Sequence, residues 1–560
     1  MPDLSRCASA VVMVTVLVGG FALMGCSRAV PPTAPEVVPK FGVFETSLTS
    51  SASLANPFSD AAMSAEFTSA SGKRVSVAGF YYGGTEWRVR FVPREHGRWR
   101  YRLTLSWPTG KQDSQGEFEC EGTTGHGFLH LSKRNPFRME YEDGTPFYPI
   151  GIQPCSFITP DFDGPDAEGK WRSVSADEWA KAFDGAVNLV RTQMGQGTED
   201  GCALPLIRAG DQKAGIPPGP IDRYDTDLAA QMDEVFRIHR THGFSEILIL
   251  FQDMSLWGDL TSAFGRARDL VNYKSLKAAN LPMQDRYLRY VVARFGCFVD
   301  IWELFNEDSY APNDYLAHLA KVVRDADPYA HIITTNYARP KEPWCEIATW
   351  HEYMGMPASE VDAYLTSQIA LAKSSGKVVQ NTEFGNQGQL SNVDPVKWRI
   401  AVWTAFLNES GMLFWGMSGN KVPAGRKSAK GNSNAYIGPD SRSHFRVLNE
   451  FTRDMPIDMR PVWTGYTEHT DIRTYGLGNG LVTAVYVHHF ADHGKEYQLP
   501  FRLFVETGPG MFRARWIDPA DGKELKTEEV RNVQQFLSLT LPPVKIDAAC
   551  RIDRIEDVPQ

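Results

Sequence analysis

Between about residues 125 and 456 the chain alternates strand-like apolar runs with amphipathic helices, and this alternation restricts the fold more than any other feature. Strand, helix and parallel strand in repetition is the grammar of α/β architecture. Eight runs read as strands: Phe147 to Gln153, Ala186 to Arg191, Ser245 to Phe251, Phe298 to Glu307, His331 to Asn336, Glu346 to His351, Lys377 to Gly385 and Gly411 to Trp415. Between them lie helical signals. Ser175 and Glu178 form a capping box. Leu228, Met232, Val235, Phe236 and His239 share one face before Gly243. Leu288, Val291, Val292 and Phe295, then Leu316, Leu319 and Val323, then Val361, Leu365 and Ile369 repeat the pattern, and Asp394-Pro395 reads as N-cap and first helical residue. Eight such units predict a (β/α)8 TIM barrel over residues 125–456. That length exceeds the usual ~250 residues, and the excess falls in loops at 159–172 and 195–224.

The flanks follow a different pattern. Residues 38–124 carry period-two strands, Glu86 to Val92 and Trp99 to Leu105, with Gly97 between them. They predict an N-terminal immunoglobulin-like β-sandwich, read either as a packing module or as a glycan-binding one. Beyond residue 457 the helices stop. Leu481 to Val487 after the Gly478-Asn479-Gly480 turn, and Phe512 to Ile517 before Asp521-Gly522, predict a C-terminal β-sandwich over 457–560.

The first 26 residues read as a leader rather than as fold. Arg6 precedes an apolar stretch from Ala8 to Met24, short for a membrane span, and Leu23-Met24-Gly25-Cys26 resembles a lipobox, in which Cys26 is the lipid-anchor site. Pro31, Pro32 and Pro35 suit a tether over residues 27–37. The expected location is the cell envelope, anchored by lipid to the outer membrane or cell surface. A net charge of -9 without a basic run argues against nucleic acid as a partner. No C-x-x-C or clustered His/Asp spacing points to a metal, and no cofactor is expected. A Cys155–Cys202 disulfide is permitted by an oxidising compartment but not assigned by sequence. Cys297 reads as a buried small hydrophobe.

Function in such barrels sits at the C-terminal strand ends. The polar residues there are Gln153, Arg191, Gln252, Asp253, Asn306, Glu307, Asn336, His351, Tyr353, Glu383 and Trp415, with Asn386 just beyond. Two carboxyls on separate strands, Glu307 and Glu383, are the minimum equipment for cleaving a glycosidic bond. Glu303 and Asp308 flank the first acid; Glu303 falls on the same strand face one layer deeper, and both are expected to point elsewhere.

Asn306-Glu307 ending the fourth run and Glu383 ending the seventh resemble the clan A retaining glycoside hydrolases. Arg191, the His351-Glu352-Tyr353 spacing and Trp415 match the pattern of family 5 and its relatives. A departure is Phe251-Gln252-Asp253, where family 5 commonly carries His. The resemblance implies Glu307 as general acid and base and Glu383 as nucleophile. Asn306 would then bind the sugar 2-hydroxyl, Arg191 and Tyr353 would hold Glu383 ionised, His351 would bridge substrate and acid, and Trp415 would floor the sugar site. Gln153, Asp253 and Asn386 complete the substrate-binding set, and the implied partner is a polysaccharide or oligosaccharide. Two other readings stand beside this one. The first is a catalytically silent glycan-binding surface lipoprotein, and the second a barrel enzyme using Asp253 as base or metal ligand.

Overall fold

The computed structural model describes residues 36–50, 52–154, 161–165, 171–173, 175–193, 206, 222–251, 273–309, 311–386, 394–415, 438–466, 471–496 and 502–556. Cys26 with its leader and the tether to residue 35, Cys155, Cys202, Gln252 and Asp253 lie outside the described residues, as does the side chain of Asn386. Among the described residues no helix is long and apolar enough to cross a membrane.

Eight parallel strands make the central sheet: β1 (Ile150–Ile152), β2 (Leu189–Gln193), β3 (Ser245–Phe251), β4 (Ile301–Phe305), β5 (Ile332–Thr334), β6 (Ile347–Met354), β7 (Val378–Asn386) and β8 (Ser410–Phe414). They lie in the order β5-β4-β3-β2-β1-β8-β7-β6. The free edges of β5 and β6 meet through the Glu346 amide on the Ile333 carbonyl (2.8 Å). The Thr334 hydroxyl on the Ile347 carbonyl and the Thr349 hydroxyl on the Thr335 carbonyl (both 2.9 Å) add to that seam. This is the TIM barrel that the alternation predicts, and the strand runs fall where expected to within a few residues.

The surrounding helices are α1 (Ala176–Phe183), α2 (Thr226–Thr241), α3 (Tyr273–Phe295), α4 (Asn313–Ala326), α5 (Ala358–Lys373), α6 (Pro395–Leu407) and α7 (Gly438–Thr452). Their starts follow local chemistry: Ser175 Oγ accepts the Glu178 amide (3.2 Å), and Asp394 Oδ1 accepts that of Lys397 (3.0 Å). Gly243 after α2 takes φ +75°, the left-handed stop that a residue without Cβ adopts at little cost.

A three-stranded antiparallel sheet, Leu129–Leu131, Met139–Tyr141 and Pro146–Phe147, precedes β1. Its Leu129, Met139 and Phe147 join Leu189, Ile247, Ile301, Ile332, Ile347, Val378 and Leu413 in one buried apolar cluster. Most of those partners open their strands, so the sheet stoppers the N-terminal end of the barrel. Removing this much apolar surface from water is worth roughly 25 cal/mol per Å².

The N-terminal flank packs a five-stranded sheet against a three-stranded one, and the C-terminal flank a six-stranded against a three-stranded one. The first is fastened to the barrel by buried charge: Arg90 donates to Asp233 Oδ1 (2.6 Å) and Arg294 to Asp233 Oδ2 (2.7 Å). The second is fastened by apolar packing, with Tyr486 stacked on Trp403 at 5.5 Å and 9°, and by the ion pairs Arg399–Asp547 and Arg473–Asp362. Cys120, Cys297, Cys345 and Cys550 are free and buried.

Candidate active site

The C-terminal ends of β2, β4, β6 and β7 converge on one cluster. Its position depends on a β-bulge in β7. Asn381 pairs with Trp350, yet Glu383 pairs with His351, so Thr382 is one residue too many on its strand. The same surplus appears against β8, where Asn381 opposes Met412 and Phe384 opposes Phe414. A bulge of this kind re-aims a side chain. Here it sets Glu383 beside His351. On β4 a different device acts: Glu307 adopts φ +51°, a left-handed conformation costing a non-glycine residue on the order of 1–3 kcal/mol. Neighbouring backbone bonds secure that turn, Asn306 N to Phe251 O (3.0 Å) and Asp308 N to Asn336 O (2.8 Å).

Arg191 is the hub. Fully buried, it donates through Nε to Glu303 Oε2 (2.8 Å), through Nη1 to Glu383 Oε1 (2.6 Å) and to Gln153 Oε1, and through Nη2 to Asn306 Oδ1 (2.8 Å) and Glu303 Oε1. The Tyr353 hydroxyl donates to the other oxygen of Glu383. Both Glu383 oxygens therefore accept from protein donors. Glu307 has no such company: His351 Nδ1 meets its Oε1 at 2.8 Å, and the same nitrogen stands 3.4 Å from Glu383 Oε2. The rings of Trp415 and Tyr353 contact edge to face at 5.5 Å.

Electrostatics follow this asymmetry. Burial raises the Glu307 carboxyl above its ordinary value, with Arg191 opposing. Burial also drives the His351 imidazole down to about 3, with Glu383 favouring the charged ring and Arg191 opposing it. His351 is thus neutral at ordinary pH. Tyr353 is pushed up by burial and by Glu383, so its hydroxyl stays a donor. Burial works against the charge on Arg191, but Glu303 and Glu383 outweigh it and its pKa is raised. One ligand atom each from Glu307, His351 and Glu383 lie within 4.8 Å of one another, close enough to meet at a cation. The guanidinium on Glu383 repels such an ion, and protein donors already compensate that carboxylate.

Of the residues singled out from sequence, Gln153, Arg191, Asn306, Glu307, His351, Tyr353, Glu383 and Trp415 come together. Glu303 corrects the expectation that it points away. It lies one layer deeper as foreseen, but it faces Arg191 at 0% exposure and shares that cation with Glu383. A lone carboxylate in the apolar run Ile301-Trp302-Glu303-Leu304-Phe305 was the available signal, since a buried charge demands a counter-charge. Tyr337 was also missed; it is 40% exposed, with its ring 6.2 Å from that of His351.

Solved structures share this arrangement of strands. A protein of Bacteroides vulgatus ATCC 8482, described provisionally as a glycoside hydrolase, superposes with a TM-score of 0.67 at 18% identity, over 93% of this chain and 100% of its own. A glycoside hydrolase family 5 protein from the same organism gives 0.51 at 13%, over 78% and 97%. A third structure, described only as a glycoside hydrolase, gives 0.51 at 13%, over 77% and 97%. The fold is that of these glycoside hydrolases. At such identities the likeness is one of fold. A family model described as a domain of unknown function, DUF5060, matches residues 37–106 in the N-terminal flank. No curated protein matches the chain.

Proposed function

We propose that the chain is a retaining glycoside hydrolase acting on a polysaccharide or oligosaccharide, with Glu307 as acid and base and Glu383 as nucleophile. The observation that carries this reading is the contrast between two carboxylates that each bring one oxygen within 4.8 Å of the other. So close an approach favours double displacement, whose carboxyls stand ~5–5.5 Å apart, over inversion, whose ~6.5–9.5 Å leaves room for water. Burial raises the Glu307 carboxyl and so favours the protonated form, which can protonate the leaving oxygen. Arg191 and Tyr353 hold Glu383 in place for attack on the anomeric carbon. In the second step Glu307, now ionised, takes a proton from water as the water oxygen attacks the anomeric carbon, which breaks the ester bond to Glu383 and releases the sugar with net retention. Asn306, whose Oδ1 is occupied by Arg191, presents its amide donor to the 2-hydroxyl. His351 positions Glu307, and Trp415 floors the sugar site.

The lipobox-like Cys26 supports placing the enzyme on the envelope surface by a lipid anchor, with a tether ahead of the first sandwich. The test is hydrolysis across plant, algal and microbial glycans, with proton NMR of the first product. Retained configuration, lost in both Glu307→Gln and Glu383→Gln, supports the mechanism. Inverted product overturns it, and glycan binding without turnover moves the assignment to a silent binder.

A further inference from the structure

The C-terminal flank carries a second feature that the barrel chemistry does not use. Its smaller sheet consists of Thr464–Tyr466, Arg502–Glu506 and Phe536–Thr540. Leu503, Val505, Leu537 and Leu539 point inward and are buried against the six-stranded sheet. That larger sheet in turn packs on the barrel through Tyr486, Ile517 and Ala549. The small sheet is therefore the layer farther from the barrel. Strand alternation turns Phe504, Glu506, Phe536 and Ser538 to its outer face, together with Gly465 and the preceding Trp463.

An outward face is ordinarily polar, and this one carries Trp463, Phe504 and Phe536 among its polar residues. Trp463 is 53% exposed. Its indole lies across Gly465, where an added Cβ would stand 2.2 Å from Cη2 and 2.5 Å from Cζ2. Glycine there lets one ring face rest on the strand. The ring of Phe536 stands beside the indole at 4.9 Å and 66°, so the two form an angled cradle rather than a flat plate. Hydrogen-bonding groups border it. Glu506 accepts the Trp463 amide at Oε2 (3.3 Å) and the Gln535 side-chain amide at Oε1 (3.2 Å). Isolated exposed aromatics need no explanation. A tryptophan seated on a glycine, flanked by a second ring and by a carboxylate and an amide, matches a ligand with one apolar face and hydroxyls at its rim. A pyranose ring has that character, and an apolar protein surface does not.

We propose that this outer face is a second carbohydrate-binding site. It takes one or two pyranose rings of a soluble glycan chain against Trp463 and Phe536, with Glu506 and Gln535 meeting the hydroxyls. The angle between the rings favours a twisted, solvated chain over the flat surface of a crystalline polymer. The site goes beyond the barrel reaction and does not require it.

The test is native affinity electrophoresis of the full chain in gels containing galactomannan, mixed-linkage β-glucan, xylan, pectin or alginate, with microcrystalline cellulose pull-down as the contrast. Glu307→Gln serves as the parent, so that the polymers stay intact. The expected result is retardation by at least one soluble polymer, weakened at least about tenfold in Trp463→Ala. Phe536→Ala should give a smaller loss, and turnover of a short oligosaccharide should be unchanged when Trp463→Ala is placed in the active chain. Thermal melting confirms that the variants fold, and Trp463→Phe, which keeps a ring, should restore part of the retention. Retardation by none of the five polymers, or retardation indifferent to Trp463→Ala, overturns the proposal. The two readings fail separately: Trp463-dependent retention without hydrolysis removes only the hydrolase, and hydrolysis with Trp463-independent retention removes only this site.

Discussion

The ends of β4 and β7 carry the same side chain in opposite settings. Glu383 at the end of β7 receives donors at both oxygens, one of them a buried guanidinium. Glu307 beyond β4 has a neutral imidazole and a larger share of solvent, with 19% of its side chain exposed against 4% for Glu383. Residue type thus says little about role. What distinguishes the two is which carboxyl is supplied with a guanidinium and which is raised by burial.

The largest test of that contrast removes each carboxyl in turn. Glu383→Ala should lower kcat by on the order of 10⁴-fold or more. Glu307→Ala should cost about 10²–10⁴-fold, least with substrates whose leaving group needs no proton. Azide should revive both, giving a glycosyl azide of inverted configuration from Glu383→Ala and of retained configuration from Glu307→Ala. The same anomer from both would erase the contrast.

Next in size is the hub. Arg191→Met leaves Glu303 and Glu383 buried without their cation and should destabilise the fold by about 3–5 kcal/mol, read from denaturant melts. Adding Glu303→Gln should recover part of that loss, with a coupling of at least about 0.5 kcal/mol in the double-mutant cycle. Strict additivity would show that Glu303 and Arg191 are not a working pair.

How far these residues were legible depends on what each signal needs. The strands of the barrel declare themselves because burial on both faces leaves continuous apolar runs, and β3 matches its predicted bounds, Ser245 to Phe251. Glu307 and Glu383 were found because carboxylates interrupt such runs. The bulge at Thr382 was not, since one surplus residue in Gln380-Asn381-Thr382 changes no composition and no period. Glu307's left-handed backbone has the same opacity; tertiary bonds from Phe251 and Asn336 impose it, and neither is local. Glu303 shows the opposite failure, in that its lone charge in an apolar strand was visible but its partner lay 112 residues away.

Smaller effects refine the comparison. Tyr353→Phe takes one donor from Glu383; a bond to a charged group is worth about 1.5–3 kcal/mol, so kcat/KM should fall roughly 10- to 100-fold. The loss should be in kcat rather than KM.

The remaining effect is in pH. Because Glu307 is raised, its proton stabilises the fold below the ordinary carboxyl value, and that contribution is lost as pH rises through the raised value. Activity should fall over the same alkaline limb. His351 has the contrary sign: its pKa is depressed to about 3, so the unfolded chain gains a proton that the folded chain refuses, and stability declines as pH drops from about 6.5 toward 3. His351→Gln should flatten that acid slope in melts taken across the range. An unchanged slope would mean that the ring titrates in the folded protein.

The stopper beneath the barrel has a consequence for traffic. With Leu129, Met139 and Phe147 packed into the N-terminal end, the barrel is closed at that end, and the acids stand at the opposite rim. A polymer substrate of the proposed hydrolase would not be fed through it like thread through a bead. On the proposed function it would lie across the rim, present one linkage to the two acids, and leave by the side from which it arrived.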